Sequence, residues 1–438
     1  MNQTIEDVIA FVKENDVQFI RLAFCDLFGL YKNISIMPEE LADAFEKGVS
    51  IDGHAIRGFR QAVKSDLLLV PDPATLSILP WRPGPGRVIR FYCDIRNPDH
   101  SGFLFDSRSV LKNLIRRSEN NGYVCQVGAE CEFYLFKTDE NGDPIETPLD
   151  QGGYMDISPL DKGENIRREI CLSLKEMGLK PEASHHEQGP GQNEIDFRFS
   201  DALTCADHFL TFKSVVKAIA MRNGLFASFM PKPIPDAPGN GMHVNLSLCR
   251  NGMNAFSRTS DHLTAVAEHF IAGILTRIPE ITVFLNPLIN SYDRLGVFEA
   301  PRYVSWSHQN RSQLIRIPAA AGEKVRMELR SPDPSLNPYL AFALILAAGL
   351  DGIENEMTLP PPVDLDLLSP SCQADSLAAL PSSLGEAIEL AKSSSFVRSV
   401  IGSELLSVYL AEKEAEEAAF RKSESPEAFY RARYFEKL

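Results

Sequence analysis

The sequence predicts an α+β fold: a small sheet-based unit, then a large one whose sheet carries the chemistry while helices cover its back. Three observations lead there. At 438 residues the chain exceeds one ordinary domain. Short strand-like runs separated by Pro/Gly-rich turns mark its first hundred residues. Beyond them, strands with one polar face alternate with amphipathic helices.

In chain order, Ile5 to Glu14 has helical periodicity and Gln18 to Phe24 alternates as a strand does. Asp66 to Val70 and Arg87 to Asp94 read as further strands, with the stretch from Trp81 to Gly86 a loop between them. The expected division is 1–100 and 101–438, with Asn97 to Gly102 as linker and a helix from about Ser107 to Asn120. The longest apolar run, Tyr339 to Leu350, is too short to span a bilayer and reads as a buried helix begun at Pro338. Leu384 to Lys392 and Ser403 to Arg421 read as helices.

Composition excludes some classes. A formal net charge of −15 argues against a general nucleic-acid or membrane-surface binder. The eight cysteines are scattered, with no CxxC pair and no zinc spacing, as in a reduced cytoplasmic protein. Met1 to Phe19 lacks a basic-then-apolar leader pattern.

Four strand-like segments carry polar groups at alternate positions, which a strand turns to one face. They supply Glu130 and Glu132; Glu194, Asp196 and Arg198; His243, Asn245 and Ser247; and Arg326, Glu328 and Arg330. In the third-to-last of these runs, Ile195, Phe197 and Phe199 are expected on the apolar face. Carboxylates, one imidazole and guanidiniums differ from the Thr, Lys and Ser of an ordinary solvated face. Hard cations such as Mg²⁺ and Mn²⁺ take such oxygen donors, and arginines suit phosphate and carboxylate groups. No GxxxxGK[ST] loop is present, so a nucleotide would lie against the sheet. Unaided chemistry stops at a metal-dependent ATP enzyme.

Read in order, several blocks resemble the type I glutamine synthetases. They are Gly128-Ala-Glu-Cys-Glu-Phe, His185-His-Glu-Gln-Gly-Pro-Gly-Gln-Asn-Glu194, Phe229-Met-Pro-Lys-Pro233 and Asn290-Ser-Tyr. Glu299-Ala-Pro, Asn310-Arg-Ser-Gln-Leu-Ile-Arg-Ile-Pro318 and Glu328-Leu-Arg-Ser-Pro-Asp-Pro continue the series. The resemblance implies an N-terminal β-grasp-like domain and a catalytic domain with a curved antiparallel sheet. It implies one metal on Glu132, Glu187 and Glu194 and a second on Glu130, His243 and Glu328. Arg294, Arg330 and the Gly239 backbone would hold L-glutamate, with Arg311, Arg316 and Arg326 toward the phosphates. Glu182, Asn245 and Ser247 would bind ATP. Asp52, donated by a neighbouring subunit, would join Tyr154, Glu187 and Glu299 around the amine, and Glu299 would lie on a flap. His185 and His186, beside Glu187, are expected to be structural or to back the metal ligands from behind, Cys131 to be core, and Arg198 to make a surface or structural pairing. A double-ring homododecamer follows from the resemblance alone.

Three departures cluster at the substrate end. Asp52-Gly-His54-Ala55 lacks a hydroxyl of the family pattern, Pro238 replaces an Asn, and the segment between Arg294 and Glu299 is one residue short. Ammonia is the expected acceptor; the alternatives are a primary amine or polyamine, or an inactive structural or regulatory relative. The segment from Glu356 to Leu367 has no Tyr, so adenylylation there is expected to be absent.

Overall fold

A computed structural model describes residues 4–60, 65–81, 86–257, 263–369, 372, 374 and 376–438. The interior of the expected loop from Trp81 to Gly86 lies outside the described residues.

The first helix, Ile5–Glu14, begins where Thr4 and Asp7 cap each other's backbone N–H groups. Six strands follow: β1 (Val17–Cys25), β2 (Tyr31–Ile36), β3 (Val49–Asp52), β4 (Asp66–Pro71), β5 (Ser77–Ile78) and β6 (Arg87–Arg96). They form one sheet in the order β2-β1-β6-β4-β3, with β5 on β6, and the β1–β6 pair is parallel.

The second sheet has eleven strands: β7 (Val124–Thr138), β8 (Pro144–Pro148), β9 (Pro181–His186), β10 (Gln192–Phe197), β11 (Ser200–Asp201), β12 (Leu225–Ser228), β13 (Met242–Arg250), β14 (Met253–Asn254), β15 (Trp306–His308), β16 (Ile315–Ile317) and β17 (Met327–Leu329). Its main path runs β15-β16-β17-β13-β7-β10-β9. The pairs are antiparallel as expected, except β15 with β16, which is parallel.

β7 organises this sheet. Val127, Ala129, Cys131 and Phe133 alternate onto its buried face, which the helix Ala202–Arg222 covers. Phe212 of that helix meets the rings of Phe133 and Phe197 at 6.1 and 5.7 Å. Cys131 is fully buried there, and burial pushes its thiol well above the usual value, which fits packing and not nucleophilic work. Behind lie the helices Ala265–Leu285 and Pro338–Glu354, whose backbones touch at Gly273 and Gly352. A Cβ on Gly352 would collide with the His269 carbonyl. The second helix starts as its sequence suggested, with Asn337 accepting the Tyr339 N–H at 3.0 Å and Pro338 in the first turn.

A buried guanidinium fastens the first sheet to the helices. Arg108, on the helix Ser107–Asn120, pairs with Asp94 at 2.7 Å and with Asp72 and Asp207 at 2.9 Å. Three anions around this one cation keep its buried charge paired.

Two local expectations need correction. The strand expected from Val325 to Arg330 is only Met327–Leu329, the three residues that pair with Val244, Asn245 and Leu246 of β13. Phe199 is not on the apolar face: β10 ends at Phe197, and Phe199 is 57 % exposed. Arg198, beyond the strand, pairs with Glu182 at the surface, the structural role the sequence suggested.

Candidate active site

The polar faces anticipated along the chain lie side by side because of strand register. The antiparallel ladders set His243 of β13 opposite Glu130 and Glu194 of β10 opposite Glu132. One strand further out, His185 faces Glu194, Glu328 faces Asn245, and Arg316 faces Glu328.

Two cavities open on this face. The first, about 470 Å³, is lined by Glu130, Glu132, Tyr154, Glu187, Glu194, Gly239, His243, Arg294, Glu299, Arg311, Arg316 and Arg330. The second, about 610 Å³, is lined by Glu182, Asn245, Ser247 and Arg326 among others, and Phe199 stands in its wall. Glu130 and Asp196 line both, so the cavities share a partition made of two carboxylates. Asp52 lines neither; it is exposed at the end of β3, where its carboxylate caps the His54 N–H at 2.9 Å.

Among the described residues, three groups of donors on this face gather closely enough to share an ion, each with its atoms within 4.8 Å of one another, and a fourth, Asp150, Asp161 and His186, is buried away from it. Glu130, His243 and Glu328 form one, with His243 Nδ1 3.5 Å from a carboxylate oxygen of each neighbour. His185, Glu187 and Glu194 form another, with 3.5 Å between His185 and Glu187. Glu130, Glu194 and Asp196 form the third. Hard oxygen donors with one imidazole suit Mg²⁺ or Mn²⁺. Glu132 stands beside the second group, its Oε2 accepting the Gly241 N–H at 2.7 Å and the Gln192 amide at 3.2 Å.

His185, expected as a structural residue or one backing the metal ligands, lines the first cavity and packs edge-on against Tyr154, centroids 5.4 Å apart. The available signal was the alternation of His185 with Glu187 at the end of β9. His186 is structural as expected: fully buried, it bridges Asp150 (2.9 Å) and the Glu187 carbonyl (2.6 Å). Asp196, noted only as a polar-face residue, turns out to belong to the partition.

A string of polar contacts joins the cavities. Arg326 Nε donates to Asn245 Oδ1 at 2.9 Å, and Asn245 Nδ2 donates to Glu130 Oε1 at 2.8 Å. From there His243 leads to Glu328, whose two oxygens face Arg330 at 2.7 Å and Arg316 at 2.6 Å. Arg294 is buried and donates to the Ser331 and Arg330 carbonyls at 2.8 and 3.2 Å, which braces the wall it lines.

The electrostatics ask for cations. Burial, with the Glu187 charge alongside, pushes Glu132 up to about 8. Burial and Glu132 together raise Glu194 well above the usual carboxylate range, and burial carries Asp196 to about 6. Burial and Arg330 hold His243 below its ordinary value, leaving the neutral imidazole a metal needs. A carboxylate raised on folding binds more protons folded than unfolded, so stability falls as pH rises from the ordinary carboxylate range to about 8. Bound divalent cations offset that charge. Chelator-treated protein is therefore expected to lose thermal stability from pH 6 to pH 8, by a few degrees at about 1 °C per kcal/mol for a chain of this length. With excess Mg²⁺ the loss is expected to shrink; differential scanning fluorimetry at both pH values checks this.

The family described as glutamine synthetase, catalytic domain, matches residues 104–432, and that described as glutamine synthetase, beta-Grasp domain, matches residues 16–98. The chain is 48 % identical to the glutamine synthetase of Methanosarcina mazei over 94 % of both chains. It is 48 % identical to that of Clostridium saccharobutylicum, covering 94 % of this chain and 95 % of the other. For a glutamine synthetase of Staphylococcus aureus the identity is 42 %, over 94 % of both chains. Among solved structures, one described as a GmaS/ADP complex superposes with a TM-score of 0.88 at 30 % identity, covering 98 % of this chain and 99 % of the other. Apo GmaS without ligand gives 0.87 at the same identity and coverage. No helix among the described residues is long and apolar enough to cross a membrane.

Proposed function

Because the chain belongs to the glutamine synthetase family, we propose that it joins ammonia to the γ-carboxylate of L-glutamate, converting ATP to ADP and phosphate in the cytoplasm. The observation that carries this reading is the partition of Glu130 and Asp196 between two cavities. ATP would occupy the second cavity, against Glu182, Asn245, Ser247 and Arg326, with glutamate in the first.

Glu130, His243 and Glu328 would hold one divalent cation; Glu187 and Glu194, with Glu132 or His185, would hold another. Bound there, Mg²⁺ or Mn²⁺ supplies neutralisation of phosphate charge. Arg311 and Arg316 would face the transferring phosphoryl group, where positive charge fixed in advance lowers the barrier. A γ-carboxylate oxygen of glutamate, held by Arg330 and the Gly239 backbone, forms a bond to the γ-phosphorus as the bond to the bridging oxygen breaks. ADP leaves, and γ-glutamyl phosphate remains. An ammonium ion drawn to the acidic end gives a proton to a carboxylate, for which Asp52 of a neighbouring subunit is the candidate. The nitrogen then attacks the γ-carbonyl carbon, the carbon–oxygen bond to phosphate breaks, and a second proton leaves the nitrogen. Asp52 working in a neighbour's site requires an oligomer, and a dodecamer of two stacked hexamers is the assembly we propose.

A second reading, ligation of a primary amine, is favoured by Val297 and Phe298, which line the first cavity beside Glu299 and offer an alkyl group apolar surface. The identities above favour ammonia, since the 48 % relatives are named glutamine synthetases. Steady-state phosphate release with glutamate, ATP and either ammonium or a panel of primary amines decides. The expected result is ammonium leading in kcat/KM by at least about 10²-fold, the scale on which an altered pocket discriminates. An amine leading by that margin replaces the first reading with the second.

A further inference from the structure

Residues 295–301 join the helix Ile289–Arg294 to the segment before β15 and contain no strand or helix. Gly296 and Phe298 there have left-handed backbone, with φ of 81° and 51°. For a phenylalanine that conformation is uncommon and persists only where surrounding contacts hold it.

The Phe298 ring lies 4.5 Å from Lys232 Nζ, and the next residue, Glu299, is held by Gln188. Its Nε2 donates to Glu299 Oε1 at 2.8 Å, whereas Arg330 stays 3.7 Å from the other oxygen and is engaged at 2.7 Å with Glu328. The backbone N–H of Gln188 donates to Glu187 Oε2 at 2.9 Å. One residue therefore touches two carboxylates that line the same cavity from separate segments.

The loop closes on itself through Gly296 N–H to the Ala300 carbonyl and Ala300 N–H to the Val297 carbonyl, both at 3.2 Å, while the turn opposite is tied to the sheet. The turn carrying Gln188 is closed by Glu187 N–H to the Gln192 carbonyl at 2.8 Å and Gln192 N–H to the Gly189 carbonyl at 3.0 Å. It packs so tightly on β7 that any Cβ on Gly189 would strike the Tyr134 hydroxyl. The turn is the anchor, and the loop with Glu299 is what it holds. An amide is a suitable clamp because it donates without bringing a positive charge. A lysine there would compete with the ammonium ion for the acidic pocket.

We propose that Gln188 is a positioning residue that pins Glu299 over the acyl-phosphate position and so sets how much of that intermediate reaches the amine instead of water. This rests on the functional reading given above. The two fates differ only in the nucleophile. Ammonia attacking the γ-carbonyl carbon expels phosphate and gives the amide. Water attacking the same carbon expels phosphate, loses a proton and returns glutamate. A loop released from its anchor admits water.

The test compares the parent with Gln188→Leu, alone and combined with Glu299→Ala, reading phosphate released per amide formed. The ratio is expected to rise about three- to tenfold in Gln188→Leu, the scale of one lost hydrogen bond of ordinary net strength at an exposed position. KM for the amine is expected to rise with it while KM for ATP stays unchanged, and the effect is expected to vanish in the Glu299→Ala background. Hydrogen exchange read by mass spectrometry, which needs no activity, is expected to speed up over residues 295–301 in Gln188→Leu. An unchanged ratio with unchanged exchange overturns the proposal, as does an effect that survives in full without Glu299. A parent protein that forms no amide would overturn the functional reading instead, and the exchange experiment would still decide the clamp.

Discussion

Replacing Glu328 by Gln is expected to lower kcat/KM for ADP formation by about 10³-fold, at the upper end of what one preorganised charge contributes to a transition state. The reason lies in its neighbours. Glu328 is fully buried, its oxygens face Arg330 and Arg316 at 2.7 and 2.6 Å, and His243 Nδ1 is 3.5 Å away. The amide keeps the shape and removes the charge. Two guanidiniums that pointed at one anion then lack a partner, and the donor group with Glu130 and His243 loses its buried carboxylate. Breaking a buried pair from one side costs about 3–5 kcal/mol, so a lowered denaturation midpoint should accompany the kinetic loss. Steady-state assays across a Mg²⁺ titration, with circular dichroism melts, separate the contributions. Restoration of the rate by high Mg²⁺ would point to metal affinity alone, and persistent loss at saturation to the misplaced arginines.

Co-expression of two inactive variants, Asp52→Ala and Arg311→Ala, is expected to restore activity to about a quarter of the parent's under random assembly, if each site joins two subunits. Asp52 is exposed and lines neither cavity of its own chain, whereas Arg311 is exposed on the wall of the first. Each variant alone is expected to fall by about 10²–10⁴-fold, the range for losing a general base or a charge partner. In the mixture, a subunit carrying Asp52→Ala keeps Arg311 and can take Asp52 from an Arg311→Ala neighbour. Activity of purified mixed oligomers, resolved by two affinity tags, checks this. No recovery would mean that Asp52 serves its own chain or none.

How far the molecule could be read from its sequence depended on the range of the interactions involved. β7 was legible because alternation is local: Val127, Ala129, Cys131 and Phe133 face one side, Glu130 and Glu132 the other. The helix Pro338–Glu354 was legible from its apolar run and the Asn-Pro start. Register was not legible, since nothing local says that Glu130 faces His243 or that Glu132 faces Glu194. Glu328 and Asn245 became neighbours across two strands distant in the chain. For His185 the nearness of Glu187 was legible, but the company of Glu194 arises only when β9 joins β10. Phe199 went astray because a period of two gives no sign of where a strand ends. The contact of Gln188 with Glu299 spans 111 residues and follows from two turns that no periodicity describes.

The most direct test of acyl-phosphate chemistry follows the oxygen atoms. L-Glutamate labelled with oxygen-18 in its γ-carboxylate is turned over with ATP, Mg²⁺ and ammonium, and the released phosphate is analysed by mass spectrometry. If the γ-carboxylate attacks phosphorus and phosphate later departs from the acyl carbon, each phosphate carries one labelled oxygen and the glutamine retains the other. Phosphate free of label, with ADP formed at the same rate, would mean that water and not glutamate takes the phosphoryl group, and would contradict the account.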